Sequence, residues 1–219
     1  VLLRPLRTLI RDGAPDIAVD FVPNGRDYTQ PGLDTFTRVD LIIGPSGFDL
    51  PGESQTLFRD DFVALVDRQH PILDQDVISL SDLARCPQVV GGFGGNVITP
   101  PMRLLAEHGH APHVAVRLSG LQSLPAVLPG TDLLTFVPRR LASTALPTGD
   151  LVAIDLAVEL EVPLVETVRW HPLRHDDPGN SWLRGVLQQA AEALPIPECP
   201  VHPVEVRAMD EGTIGPVDS

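Results

Sequence analysis

The 219-residue sequence predicts an α/β protein built from two lobes, and three observations support this prediction. Short apolar runs typical of strands alternate along the chain with segments in which apolar residues recur at helical spacing. Hydrophobic residues make up 43% of the chain, which is enough to form substantial cores. Neither a fixed-period repeat nor a low-complexity linker interrupts the middle of the chain, so we expect two lobes joined by crossing strands.

The first third of the chain is predicted to hold one helix followed by strands. Residues 2–11 carry apolar side chains at helical spacing, and an Asp-Gly pair follows as a stop signal. Residues 17–22 (IAVDFV) alternate as a strand, and residues 39–44 (VDLIIG) form the kind of apolar run that is buried in a parallel sheet. A long strand pattern lies within residues 55–66.

Helix and strand patterns alternate through the rest of the chain up to residue 194. Residues 79–83 begin with a serine and carry Asp82 at the third helical position, which predicts a short capped helix. Further helices are predicted at 99–108, 121–128, 138–145 and 182–194. Further strands are predicted at 88–90, 114–118, 133–137, 151–154 and 162–170. This alternation favours parallel sheets.

The charge of the chain disfavours direct contact with DNA. The net charge is −13, and the 16 basic residues are all arginines that form no cluster or stripe. A duplex-binding surface needs clustered cations to displace counterions. If the protein regulates DNA, another segment must make the contact.

The sequence lacks the motifs of common catalytic and metal sites. It contains no G-x-S-x-G, C-x-x-C or H-E-x-x-H pattern. His108 and His110 are spaced to diverge on a helix, and Pro172 breaks the helix that would align His171 with His175. We therefore predict no catalytic residue, no metal site and no cofactor.

Several features are typical of a cytoplasmic protein. No apolar run approaches the roughly 20 residues of a membrane helix, and no signal peptide opens the sequence. Cys86 and Cys199 are expected to be free thiols, as is usual in a reducing compartment. Because Val1 is not an initiator methionine, we expect the chain to be a fragment, a processed form or the ordered part of a longer protein.

Four segments carry motifs that belong together in one family. They are VDLIIG at 39–44, LFRDDFVALV followed by HPI at 57–72, GTD followed by VPRRLA at 130–142, and WHP, DP and WLR between 170 and 184. In order and spacing these segments resemble the effector-binding domain of LysR-type transcription regulators over residues 1–194. The fourth segment resembles the branch whose members answer to flavonoids or aromatic acids.

The resemblance implies the fold of type 2 periplasmic binding proteins, with two Rossmann-like lobes. The first lobe would comprise residues 1–59 and 160–194, and the second residues 60–159, with strands crossing near 59–62 and 159–162. Residues 195–219 are predicted to be a mostly irregular tail. The family's first strand would precede residue 2, so the resemblance implies that this strand, the helix-turn-helix and the linker helix are missing and that the cleft is incomplete.

The second lobe offers most of the candidate effector contacts. Gly92, Phe93 and Gly94 lie in a glycine-rich turn whose backbone N–H groups would suit a carboxylate or phenolate, although a turn without a ligand explains them equally well. Ser119 matches the family's cleft-lining serine, with Gly120 beside it, and Ser119 could also simply cap the next helix. Thr135 and Phe136 end the strand at 133–137, where core packing is the alternative for Phe136.

The first lobe contributes Asn24, Gly44 and Ser46, which end strands on the expected rim of the same cleft. Turn formation is the alternative for the residues in these segments. His171 ends a later strand, and it could contact an effector or be held there by hydrogen bonds of its own.

The resemblance implies an effector-binding and oligomerisation domain that is not an enzyme. Its partners would be a small molecule, such as an aromatic or organic acid, and further copies of itself in a homodimer or tetramer. DNA would be bound only by the missing N-terminal helix-turn-helix, and no membrane contact is expected. The alternatives are a solute-binding protein of a transporter and an enzyme on the same fold, such as a dehydratase, although the chain has no lysine to serve in catalysis.

Overall fold

The computed structural model describes residues 1–22, 32–47, 51–92, 99–202 and 205–207. The helices in these residues are α1 Leu3–Gly13, α2 Leu80–Arg85, α3 Pro100–Glu107, α4 Arg139–Ala145 and α5 Pro178–Glu192. The strands are β1 Ile42–Pro45, β2 Glu53–Asp60, β3 Phe62–Asp67, β4 Val77–Ser79, β5 Gln88–Gly92, β6 Val114–Ser119, β7 Leu134–Pro138, β8 Leu151–Asp155, β9 Leu164–Trp170 and β10 Glu205–Arg207. They confirm a mixed α/β architecture.

The small sheet has the strand order β1-β9-β2, and its pairings are antiparallel. Helices α1 and α5 pack on it through an apolar cluster that includes Leu6, Ile10, Val168 and Leu187. This pairing corrects the expectation of a parallel sheet around residues 39–44: the strand begins at Ile42, and it runs antiparallel to β9.

The large sheet has the order β6-β5-β7-β3-β8 and is mixed. Strand β5 runs parallel to β6 and β7, whereas β3 runs antiparallel to β7 and β8. Strand β3 is buried along its length: Ala64 and Val66 enter one core, and Val63 and Leu65 enter the core on the opposite face. A strand covered on both faces reads as a continuous apolar run, as this one does.

Two connections join the sheets. Strand β2 ends at Asp60 in the small sheet, and β3 starts at Phe62 in the large sheet, so Asp61 alone separates them. The chain returns from β8 to β9 through a 3-10 turn at Val158–Leu160. The crossing predicted near 159–162 is therefore made by a turn and not by a strand. The two sheets confirm the two-part fold, and the lobe boundaries drawn from the sequence remain a prediction.

Most of the remaining predicted elements are present. Helix α2 begins with the expected capping box, in which Ser79 Oγ accepts from the Asp82 N–H at 3.1 Å and Asp82 accepts from the Ser79 N–H at 2.9 Å. Helix α3 begins at Pro100, where a missing N–H costs nothing. The predicted strands of the large sheet and the final helix are also found, within a few residues of their predicted ends.

Two predicted elements are wrong. Residues 17–22 form no strand, and Ile17, Phe21 and Val22 are exposed. Residues 121–128 form no α-helix and contain only the 3-10 turn Pro125–Val127. Proline has no N–H to continue an α-helical ladder, and its ring clashes with the carbonyl four residues earlier, which explains the second error.

The described part of the tail makes backbone contacts with the large sheet. Val201 forms an isolated parallel bridge with Ala153 of β8, whereas β10 pairs in parallel with β4 in a separate two-stranded sheet. Residues 195–200 adopt neither helix nor strand. In the part of the chain that the structure describes, we find no helix with the length and apolar character needed to cross a membrane.

Candidate functional site

The carboxyl ends of β5 and β6 bring three of the candidate residues together. Gly92 pairs with Ser119 across the two strands, and Gly120 follows with a left-handed φ of +75°. A Cβ on Gly91 would lie 2.8 Å from the Gly120 carbonyl oxygen and 2.9 Å from Leu121 Cδ2. Close packing of the two strand ends therefore requires glycine at position 91, so this part of the glycine-rich turn has a structural cause.

Ser119 does not cap a helix, because the helix predicted after it is not formed. Its side chain is exposed, and its carbonyl oxygen accepts from Ser123 Oγ at 3.4 Å. The capping alternative for Ser119 is therefore wrong, and an exposed hydroxyl stands at the end of the strand. Asn24, Phe93 and Gly94 lie outside the described residues.

Thr135 and Phe136 lie within β7 and not at its end. Thr135 is 1% exposed, and its Oγ1 donates to the Val89 carbonyl at 2.8 Å. Phe136 is 2% exposed and belongs to a core of the large sheet. These positions favour the packing alternative for Phe136 and give the Thr135 hydroxyl a partner inside the sheet.

Gly44 and Ser46 lie at the end of β1, in the small sheet. The buried Gly44 carbonyl accepts from Thr167 Oγ1 at 2.8 Å. The Ser46 N–H donates to the Val165 carbonyl at 2.9 Å, and the Ser46 side chain is exposed. Of this pair, Ser46 alone presents a polar side chain to solvent.

His171 caps a short 3-10 turn. Its Nδ1 accepts from the Leu173 N–H at 3.1 Å, and its ring meets Phe36 edge-on at a centroid distance of 6.0 Å. This arrangement supports the interpretation of His171 as a histidine held by its own contacts at the end of β9.

Thr99 is a candidate that the sequence reasoning missed. It precedes Pro100 at the start of α3, and it is 8% exposed. Among the described residues, its Oγ1 finds no hydrogen-bond partner, and the two prolines that follow offer no N–H to it. A buried hydroxyl without a partner costs free energy, so Thr99 has a donor and an acceptor available for a ligand. The only signal in the sequence was a threonine at a helix start.

A charged cluster lies where the chain crosses between the sheets. Arg139 at the start of α4 binds Asp61 and also donates to Asp155 at 2.7 Å. The hydrogen bonds to Asp61, followed by those to Asp155, hold the pKa of Arg139 above its usual range. Asp60 accepts from the Arg140 N–H at 3.3 Å, which ties the end of β2 to the start of the same helix. These ion pairs join both connections to α4.

Glu166 lies beside this cluster on β9. It pairs with Phe58 across the sheet, while Asp60 pairs with Leu164, so the two carboxyl groups are diagonal neighbours on one face. Burial, with the nearby charge of Asp60, raises the pKa of Glu166 to about 7. Burial also raises the pKa of Asp60. This part of the structure therefore holds a proton near neutral pH, which no sequence motif indicated.

A groove of about 310 Å³ lies between α1 and α5. It is lined by Leu9, Gly13, Trp182, Gly185, Val186 and Gln189. The groove lies away from the strand ends that carry the candidate residues, and its lining is largely apolar. It offers few polar groups with which to orient a ligand.

Comparison with known proteins shows the family. Residues 2–192 match the model of the LysR substrate binding domain. The chain belongs to the LysR substrate-binding domain family. This LysR domain has the strand order and helix positions described above, and the resemblance carried by residues 39–44, 57–72, 130–142 and 170–184 is confirmed.

The curated relatives of this LysR domain include two rhizobial proteins. It is 30% identical over 191 residues to Nodulation protein D 2 of Rhizobium tropici, with 86% of this chain and 59% of that protein covered. It is 31% identical over 201 residues to the HTH-type transcriptional regulator SyrM 1 of Sinorhizobium fredii, with 88% and 56% covered. The chain thus spans somewhat under three fifths of the length of these relatives.

Solved structures support the same fold. The regulatory domain of MexT, a transcriptional activator in Pseudomonas aeruginosa, superposes with a TM-score of 0.70 at 23% identity, covering 85% of this chain and 92% of that one. At this identity the likeness establishes the fold alone. Together with the family match, it fits the regulator interpretation and does not support the alternative of a transporter's solute-binding protein.

Proposed function

We propose that this LysR domain binds a small-molecule effector in a cleft between its two sheets. The observation that carries the proposal is the polar site around the ends of β5 and β6. There Gly92 and Ser119 are paired, and Thr99, whose hydroxyl has no hydrogen-bond partner among the described residues, lies at the start of the next helix. Ligands of open α/β sheets bind outside the carboxyl ends of parallel strands, which is the position of these residues.

The chemistry of the site favours a small organic anion or phenol, such as an aromatic or organic acid. Ser119 and Thr99 supply hydroxyl groups, and Ser46 supplies another from the small sheet. Hydroxyl and backbone N–H groups bind a carboxylate or phenolate by hydrogen bonds without requiring a cation. This agrees with a chain that contains no lysine.

We further propose that the effector acts on a cytoplasmic transcription regulator of which this chain is the sensing part. An effector that binds one arrangement of an oligomer better than another shifts the population between them, and DNA affinity follows. The net charge of −13 supports DNA contact through a different segment. The domain would sense without catalysis, which agrees with a relative that is named a transcriptional regulator, SyrM 1.

A ligand screen with matched variants tests this function. A panel of aromatic and aliphatic acids is added to the full chain, and the unfolding midpoint is measured. A ligand that binds only the folded state stabilises it by about 2.7 kcal/mol at 100 times its Kd. We expect Thr99→Val and Ser119→Ala to reduce the midpoint shift, and Ser181→Ala, an exposed hydroxyl on α5, to leave it unchanged. A hit that shifts every variant equally would place the site elsewhere, and a panel without any hit would oppose the proposal.

A further inference from the structure

Residues 195–202 lead from the small sheet to the large sheet. Helix α5 packs on the small sheet, and directly after it the carbonyl of Pro195 accepts from Arg140 Nη1, on α4. Cys199 then lies beside Arg139, whose guanidinium partly offsets the rise that burial causes in the pKa of the thiol. The segment thus passes over the charged cluster where the other two connections cross.

The same segment wraps around the free edge of the large sheet. Strand β8 is the outer strand, and Val201 bridges Ala153 on it while the His202 N–H donates to the Ala153 carbonyl at 2.8 Å. Cys199 and Val201 pack on the core on one face of the sheet, and Val206 packs on the core of the opposite face. Strand β10 completes the turn by pairing with β4.

We propose that residues 195–202 and 205–207 form a strap that fixes the angle between the two sheets, so that the cleft changes width only when the strap is released. Two adjacent connections, at Asp61 and around Val158–Leu160, form a line about which the sheets can rotate, and Arg140 on α4 contacts the Phe58 ring of β2 beside that line. A third crossing that is anchored along β8 and β4 opposes that rotation. This proposal rests on the proposed function only because it assumes that the cleft binds an effector.

The strap also covers an edge strand, and edge protection alone would explain its contacts with β8. The two roles differ in what they predict. If the segment only protects the edge of β8, its loss lowers stability and promotes aggregation, and the angle between the sheets stays the same. If the segment is a strap, its loss widens the range of that angle in the folded protein.

Distance measurements on the chain without ligand separate these roles. Spin labels are placed at Ser181→Cys on α5 and Glu107→Cys on α3, both exposed, with Cys86→Ser and Cys199→Ser removing the native thiols. The strap is released by the pair Val201→Asp and Val206→Asp, which leaves the contact of Arg140 with the Phe58 ring in place, or removed in a chain that ends at Leu194. Leu173→Asp, at an 89% exposed position away from the strap, is the control for an added charge.

We expect the distance distribution between the labels to become at least twofold wider on release and to remain narrow in the control. Hydrogen exchange at the His202 amide reports release in the full chain. An unchanged width in the folded chain ending at Leu194, or in the double variant after its His202 amide has lost protection, would overturn the proposal. Protection retained in the double variant would overturn it too, because docking would then not depend on these contacts. Since no ligand is present, the outcome is independent of whether an effector is found.

Discussion

Arg139 binds Asp61 through two of its nitrogens, with Nε 2.9 Å from both carboxylate oxygens and Nη2 2.7 Å from Oδ2. Asp61 is the single residue between β2 and β3, and Arg139 is the first residue of α4. The pair therefore joins the connection between the two sheets to a helix of the large sheet. The Arg139 side chain is 20% exposed and the Asp61 side chain 52%, so solvent screens this pair from the Asp61 side.

Replacing Arg139 with glutamine is expected to lower the free energy of unfolding by about 1–2 kcal/mol, since a two-point, partly buried pair is lost and Asp61 and Asp155 are left without it. Urea unfolding measures the change. Arg103→Gln is the control, because Arg103 and Glu107 form an exposed pair at 3.6 Å. We expect that variant to change by less than about 0.5 kcal/mol. Equal effects of the two substitutions would contradict a special role for Arg139.

Glu166 is expected to make the protein less stable as the pH rises from 5 to 8. Its folded pKa of about 7 exceeds the ordinary value of 4.5, so the folded state holds a proton that the unfolded state has released. Between these values the folded state binds more protons, and stability falls with rising pH, by about 1–3 kcal/mol in total. Glu166→Gln should remove most of this decline in a series of urea titrations.

Burial raises the pKa of Asp60 as well, so Asp60 adds a decline in stability that begins just above its ordinary pKa of 3.8, and this decline remains in the Glu166→Gln variant. Glu107→Gln, which changes an exposed carboxylate on α3, should leave the pH profile as it is. A Glu166→Gln profile that declines as steeply as the parent between pH 5 and 8 would show that Glu166 titrates normally.

Two glycine substitutions are predicted to change the stability of the protein in opposite directions. Gly91→Ala places a methyl group against the backbone of Gly120 and should lower stability by about 1–3 kcal/mol. Gly185→Ala, within α5, meets nothing within 4 Å and should raise stability by about 0.5–1 kcal/mol. Thermal and urea unfolding of both variants check the pair. A neutral Gly91→Ala would mean that the ends of β5 and β6 are not packed as described.

Thr135→Val tests whether Thr135 stabilises the fold or binds the ligand. The substitution keeps the shape of the side chain and removes the hydroxyl that donates to Val89. We expect a loss of about 1 kcal/mol in stability and no change in the affinity of a ligand found by the screen. A loss of affinity without a loss of stability would show that Thr135 contacts the ligand.

The sequence predicted the scaffold better than the site, for physical reasons. Apolar runs such as β3 and the capping box at Ser79 depend on local patterns, and both are found. Strand direction depends on which distant segments pair, so the antiparallel pairing of β1 with β9 was not visible. The pattern at 17–22 shows the same limit, since alternation alone supplies no pairing partner.

The site residues also divide into those that the local sequence pattern indicates and those that depend on contacts between distant segments. Gly92 and Ser119 meet because they end adjacent parallel strands, which the order of elements indicates. Thr135 lies inside the sheet because β7 is a central strand with β5 on one side and β3 on the other, and which strands flank it depends on distant segments. The Arg139–Asp61 pair and the raised pKa of Glu166 arise from contacts between segments far apart in the chain, and no local pattern encodes them.

Hydrogen exchange on the full chain, with and without a saturating ligand from the screen, tests the central claim most directly. If the effector binds between the sheets at the ends of β5 and β6, amides of residues 88–92 and 119–124 should gain protection. Protection confined to the groove between α1 and α5, around Leu9 and Trp182, would contradict the account.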